Sequence, residues 1–413
     1  MDRDEERVES AGSPGPTIFL HIGTPKSGTT YLQSRMVANH EQAKEQGLLW
    51  PGPAWKAHVE AVGELRELER GRQLDPDGPW LRLARGAREW PGPRVLISME
   101  WLVACRPHHQ ISAAIESLAP GRVEVICTAR DLLRTFVTQW QEMTKNRRPW
   151  GWSQFVEEML ANRPGPVCRA FWWQQDVPVI LRKWGKLVSS ERVHLVTVPP
   201  EGSDPELLWQ RFCSVLDLDG TSFLSPRHTN DSLGVVSAGL MQRVNVRAID
   251  LGVADADYEQ VFQGTLAINI LAGKRCAEEA IAVSEEVDTW IRARAERMVK
   301  NLRRLDINVV GRVEDLLPGS ALEGREPDDV DDAELLDACV DALVSLGLSQ
   351  LQALQRVRAK NQRLRRRIAA LRERNVALSR QPDARGVRTR IRGAMSHGRA
   401  GVGRLVHRRG DAP

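Results

Sequence analysis

An apolar run, Thr17-Ile18-Phe19-Leu20-His21-Ile22, leads straight into Gly23-Thr24-Pro25-Lys26-Ser27-Gly28-Thr29-Thr30, and a helical pattern opens behind it. A β-branched and aromatic run that ends in glycines and then enters a helix is an arrangement for holding an anion. Gly23 and Gly28 allow the backbone to curl with its N–H groups turned inward. A helix starting near Thr29 adds its positive end to the same spot. The position of the lysine narrows the chemistry. A nucleotide-hydrolysing loop reads G-x4-G-K-[ST]. Here the glycine spacing and the hydroxyl of Thr30 are kept, but the lysine lies inside the loop, at Lys26. Such a loop binds a phosphorylated nucleotide and presents its cation at a different atom.

The pattern downstream predicts an α/β fold. Buried strands are expected at Arg94 to Ser98, Val123 to Thr128 and Arg192 to Val198. Helices are expected from Thr30 to Gln46, stopped by Gly47, and from Asp131 to Lys145, with Asp131 as N-cap. Strands separated by helices imply a parallel sheet covered by helices. From Asn230 to Leu305 the pattern is helical with little strand signal.

The segment Thr24 to Tyr31 resembles, without a gap, the 5′-phosphosulfate loop of the sulfotransferases, T-P-K-S-G-T-T-[WY]. Those enzymes move a sulfonate group from 3′-phosphoadenosine 5′-phosphosulfate (PAPS) to an acceptor and release adenosine 3′,5′-bisphosphate. The resemblance covers roughly residues 17 to 240. It implies a donor site built from Thr24, Lys26, Ser27, Gly28, Thr29 and Thr30, with Tyr31 stacking on adenine and no metal. A second element, Val123 to Arg130 followed by the helix to Trp140, resembles the family's 3′-phosphate site. Arg130 and Thr138 would be its pair, with threonine in place of the usual serine. Lys26 would stabilise the negative charge that transfer leaves on the oxygen between phosphorus and sulfur.

An acceptor hydroxyl, or less readily an amine, needs a proton acceptor. Glu100, in which the run Val95-Leu96-Ile97-Ser98-Met99-Glu100 ends, looks like the catalytic glutamate of the carbohydrate branch and is the preferred base. His58 is its rival, because other branches use a histidine after the phosphate loop. The polar turn Arg227 to Ser232 lies where the family closes over the 3′-phosphate, but the usual Arg-Lys-Gly signature is missing. Ser232 is expected as a helix N-cap. Trp50, Trp55, Trp150 and Trp152 are available to stack on a small-molecule or carbohydrate acceptor. A nucleotide kinase or hydrolase is the alternative enzyme class. It would need a lysine where Thr29 stands and a magnesium-binding acid on a neighbouring strand.

Charge divides the chain. From Arg356 to Arg409 there are 18 basic residues against two acidic ones, a net +16, so the rest of a +4 chain carries −12. The expected organisation is a disordered stretch 1–16, a domain 17–312, an acidic linker 313–333, a helical coiled-coil segment 334–380 and a basic disordered tail 381–413. The heptad run places Leu354, Asn361, Ile368 and Asn375 on one seam position and Val357, Leu364, Leu371 and Leu378 on the other. Asparagine at a seam fixes register and favours two strands. A homodimer through this coil is therefore expected, with the tail free to meet a polyanion or an anionic membrane surface; a polyanion-binding coiled-coil protein is the third functional reading. Six scattered cysteines without a CxxC pair argue against zinc and disulfides. With a charged start and no long apolar span, the expectation is a cytoplasmic protein with no transmembrane segment.

Overall fold

The computed structural model describes residues 15–105, 108–161, 165–225 and 232–379. The expected N-terminal stretch through residue 14, the turn at Arg227 to Asp231 and the tail 381–413 lie outside the described residues. Residues 1–343 and 344–413 form two compact units.

The first unit is built on one sheet of six strands in the order β2-β3-β1-β4-β5-β6. The strands are β1 (Thr17–His21), β2 (Leu48–Leu49), β3 (Arg94–Ser98), β4 (Arg122–Ala129), β5 (Val193–Thr197) and β6 (Asn308–Val310), and every pairing is parallel. The expected α/β class is therefore present. Alternation along the strands explains why both faces are covered. Ile18, Leu20, Val95, Ile97 and Val125 enter one apolar core. Their neighbours Phe19, Leu96, Ile126 and Val196 enter another on the opposite face. Near-continuous apolar strands are what a parallel sheet buried on both sides requires.

The helices α1 (Thr29–Ala38), α2 (His40–Glu45), α3 (Trp55–Glu67), α4 (Pro79–Arg88), α5 (His108–Ser117), α6 (Leu132–Lys145), α7 (Trp152–Leu160), α8 (Pro166–Gln175), α9 (Val177–Val188) and α10 (Leu207–Leu216) follow the alternating pattern. The helix expected through Gln46 is broken at Asn39, whose amide donates to the Arg35 carbonyl and to the Leu224 carbonyl. This is a side chain competing with the helix for backbone partners. Asp131 caps α6 by accepting from the Arg134 N–H at 2.9 Å. Beyond residue 232 come α11 (Val235–Asp250), the single turn α12 (Asp255–Asp257), a π-helix (Tyr258–Leu271) and α13 (Glu285–Leu302). With α6, α7 and α8 these surround a third apolar core. Ser232 does not cap α11; Gly234 holds that position.

Residues 313–333, expected as a linker, pack into this unit. Leu316 is fully buried, Asp315 pairs with Arg211 at 2.8 Å, and Val330 joins the third core. Acidic composition misled here because Asp315 serves an interior partner. α14 (Asp332–Ser379) follows. Leu335 and Ala342 are buried in the first unit. In the second unit, every described side chain from Leu351 to Val376 is exposed, the seam residues Leu354, Val357, Leu364, Ile368 and Leu371 included. Among the described residues no helix is long and apolar enough to cross a membrane.

Candidate active site

The sheet order places β1 between β3 and β4, so the chain leaves β1 to opposite sides. The crevice beyond the carboxyl ends of such strands is where an open α/β sheet binds ligands. Three segments meet there: the Gly23–Thr30 loop after β1, a short 3₁₀ turn Glu100–Ala104 after β3, and Arg130 after β4. They line a cleft of about 550 Å³ together with α6.

The loop is held from below. The Thr24 N–H donates to the Thr128 carbonyl at 2.7 Å, and the Thr128 N–H returns a bond to Gly23. Gly28, at φ 82°, caps α1 with no side-chain bond. An added Cβ at Gly28 would stand 2.6 Å from Leu208, and one at Gly23 would stand 3.0 Å from the Glu100 Cβ. Lys26 itself holds a left-handed φ of 65°, a conformation that costs a non-glycine residue ~1–2 kcal/mol. Among the described residues, the backbone N–H groups of Lys26, Gly28, Thr29 and Thr30 have no partner within the chain, while that of Ser27 closes the turn on Thr24. A run of inward donors at a helix start is an anion nest. Gly28→Ala combines backbone strain with a clash against Leu208. Its expected effect is a loss of ~2–4 kcal/mol of stability, read as a lower denaturant midpoint; an unchanged midpoint would mean that the loop relaxes freely.

Lys26 reaches across the cleft to α6. Its ammonium lies 2.5 Å from the Glu142 carboxylate, which Lys145 also approaches at 3.0 Å. Burial alone would raise the Glu142 carboxyl, but the two ammonium groups outweigh it and hold its pKa at about 2. Arg130 and Thr138 line the same cleft. Asp131 is engaged mainly by Arg134, at 2.5 Å, and stands 3.9 Å from Arg130. Burial, and then the neighbouring Arg134, lower the Arg130 pKa to about 10. An anion there would relieve both. The Thr138 hydroxyl donates to the Arg134 carbonyl at 2.7 Å and keeps its lone pairs.

Glu100 is half-buried at the cleft wall and accepts from the Gln33 amide at 3.0 Å. The Gln33 amide also reaches Ser98. Beneath them His21 bridges Ser98 at 2.7 Å and Thr128 at 3.2 Å, and Thr128 meets Ser27 at 2.5 Å. One buried chain of hydrogen bonds thus ties Glu100 to the loop.

Several expected site residues stand elsewhere. His58 is fully buried and stacks on Trp50 at 4.3 Å. Its Nε2–H donates to the Pro51 carbonyl, and its Nδ1 accepts from the Ser98 N–H. Both nitrogens are spent on backbone and the ring does not line the cleft, so it is no proton acceptor for a ligand there. The Thr24 and Ser27 hydroxyls face inward, to the Thr128 carbonyl and to the Thr24 carbonyl. Tyr31 lies in a neighbouring groove with Val198, Pro199 and Leu208, its hydroxyl accepting from Arg35 at 2.6 Å. Trp152 belongs to the third core, and Trp150 lines the cleft. Glu142, Lys145, Gln33 and the His21–Ser98–Thr128 chain were not anticipated. The i, i+4 spacing of Thr138 and Glu142 on α6 carried that signal, since it puts both on one face.

The buried histidines set a pH limit. Desolvation lowers His21 from 6.5 to about 3, and it lowers His58 to about 4 against the opposing bonds from Pro51 and Ser98. A histidine with a depressed folded pKa binds its proton first in the unfolded chain. Stability is then full above pH 6.5 and falls as pH drops toward the folded values. At pH 5 the pair together removes on the order of 4 kcal/mol. A melting temperature that falls steeply between pH 6.5 and 5 is expected; a flat profile would contradict the burial of both rings.

No protein-family model matches the chain, and no curated protein matches it. Among solved structures, a sulfotransferase from Alicyclobacillus acidocaldarius is similar over 59% of this chain and 94% of that one, at 14% identity and a TM-score of 0.34. Among the described residues no group of three or more His, Cys, Asp or Glu is placed to hold a metal ion.

Proposed function

We propose that this protein transfers a sulfonate group from PAPS to a hydroxyl acceptor, with an amine as the lesser option. One observation supports the reading above the rest. The unpaired N–H groups of the Lys26–Thr30 loop, the Lys26 ammonium, and the Arg130–Thr138 pair all border a single cleft at the switch point of the sheet. A nucleotide phosphorylated at both 5′ and 3′ positions suits two separated anion sites. A nucleoside triphosphate would leave the guanidinium without its phosphate.

In this reading the loop donors and the α1 terminus hold the 5′-phosphate. Arg130 grips the 3′-phosphate through two parallel bonds. Glu100 takes the proton of the acceptor hydroxyl as its oxygen attacks sulfur. The new O–S bond forms opposite the breaking one, whose electron pair stays on the bridging oxygen. Lys26 meets that developing charge, and the 5′-phosphate of adenosine 3′,5′-bisphosphate leaves. Glu142 keeps the ammonium over the cleft between turnovers. Positioning and charge stabilisation then carry the rate.

Thermal-shift measurement tests the donor class. The bisphosphate at a hundredfold excess over its Kd should stabilise the protein by about 2.7 kcal/mol, and ATP with magnesium should give far less. The reverse order would move the protein to the kinase and hydrolase class. Glu100→Gln keeps the bond to Gln33 and removes the base. It should lower kcat by ~10²–10⁴-fold with little change in bisphosphate affinity; an unaltered kcat would place the base elsewhere.

The proposal extends to a second copy of the chain as partner, through the exposed seam of α14. Leucine, isoleucine and valine at heptad spacing on a charged helix call for burial by a like helix. Truncation after residue 345 should lower the mass in light scattering and leave bisphosphate binding intact. An unchanged mass would remove the coil as the dimeriser. The basic tail is proposed to add an electrostatic contact to a polyanion or an anionic membrane, read as binding that weakens steeply with salt. A cytoplasmic location goes with this proposal.

A further inference from the structure

The donor elements occupy one part of the cleft, and two exposed arginines, each set over a tryptophan, line another part. Arg66 stacks on Trp101 at 5.3 Å, and Arg148 stacks on Trp150 at 5.5 Å. All four residues border the same cleft. Neither guanidinium has a carboxylate or hydrogen-bond partner among the described residues. Two other cations of the same cleft, Lys26 and Lys145, are neutralised by a shared carboxylate, Glu142. The half-buried amide of Gln174 also borders the cleft without a partner among the described residues.

A tryptophan face fixes a guanidinium flat while leaving its N–H fork open. That fork matches a planar carboxylate, which accepts two parallel bonds. Placement adds to the argument. Trp101 follows Glu100 directly in the 3₁₀ turn, so the Arg66 pair flanks the proposed base. Arg148 and Trp150 follow α6, which carries Thr138 and Glu142. Arg66 stands beside the base rather than beside the nucleotide loop, and Arg148 borders the same cleft from the end of α6, so both are open to an acceptor.

We propose that the acceptor is a hydroxyl compound that itself carries a carboxylate, held by Arg66 and Arg148, with Gln174 bonding a neighbouring polar group. This rests on the sulfonate-transfer reading for the name "acceptor", but the carboxylate site can be tested without it. The probes are p-nitrophenyl β-D-glucuronide and p-nitrophenyl β-D-glucoside, which differ only in carboxylate against hydroxymethyl. Their binding to the full chain is measured by saturation-transfer NMR titration, with and without adenosine 3′,5′-bisphosphate. The glucuronide should bind at least ~10-fold more tightly, as two charge-assisted bonds allow. In the Arg66→Gln, Arg148→Gln double variant that preference should vanish while bisphosphate affinity stays unchanged. Equal binding of the two glycosides, binding of neither, or a preference that survives both substitutions would overturn the proposal. Loss of bisphosphate binding in the unmodified chain would instead strike the donor reading and leave the carboxylate site standing.

Discussion

Replacing Lys26 by alanine should abolish most turnover while the nucleotide still binds. The backbone donors from Lys26 to Thr30 remain, as does Arg130, so affinity for the bisphosphate product should change by only a few-fold. The bridging oxygen, by contrast, gains its full charge only as the S–O bond breaks. A cation aimed at charge that develops in the transition state is worth ~10²–10³-fold in kcat. A second consequence follows from the ion pairs. Without Lys26 the Glu142 carboxylate keeps only Lys145, so its pKa should rise from about 2. Lys26→Arg should not restore the rate, because a planar fork replaces a compact ammonium on a strained turn. Full activity in Lys26→Ala would overturn the assigned role.

Replacing Arg130 by alanine should do the opposite: it should remove discrimination. The guanidinium is partly buried, its pKa lowered by that burial and by Arg134, and Asp131 is occupied elsewhere. Truncating one partner of a buried, charge-assisted contact costs ~2–5 kcal/mol, so bisphosphate affinity should fall by at least ~30-fold. Affinity for adenosine 5′-phosphate, which has no 3′-phosphate, should barely move. The ratio between the two ligands is therefore the readout. A loss shared equally by both would mean that Arg130 holds up the strand end and does not touch the ligand. Arg130→Lys should recover part of the binding through charge alone.

The framework of this fold was legible because it rests on local signals. β3 begins and ends where the apolar run 94–98 does, and α6 begins where Asp131 offers a cap. The phosphate loop was legible because glycine positions and helix start are fixed by backbone geometry. What lay hidden depends on long-range pairing. No local pattern says that Glu142 answers Lys26 across 116 positions, or that His21 sits beneath the loop. His58 misled for the same reason: a histidine on a helix reads alike whether its nitrogens meet substrate or the backbone of Pro51 and Ser98. The hydroxyls of Thr24 and Ser27 turned inward because Thr128, on a strand far along the chain, offered them partners. Acidic composition at 313–333 suggested a linker, yet one buried carboxylate, Asp315, had an arginine waiting on α10.

The central claim is that one doubly phosphorylated adenosine bridges the loop and the end of β4. A crystal soaked with adenosine 3′,5′-bisphosphate tests it most directly. The account predicts the 5′-phosphate against the unpaired N–H groups of the Lys26–Thr30 loop and the 3′-phosphate within hydrogen-bond distance of Arg130. Density for the nucleotide outside this cleft, or a 3′-phosphate turned away from Arg130, would contradict it.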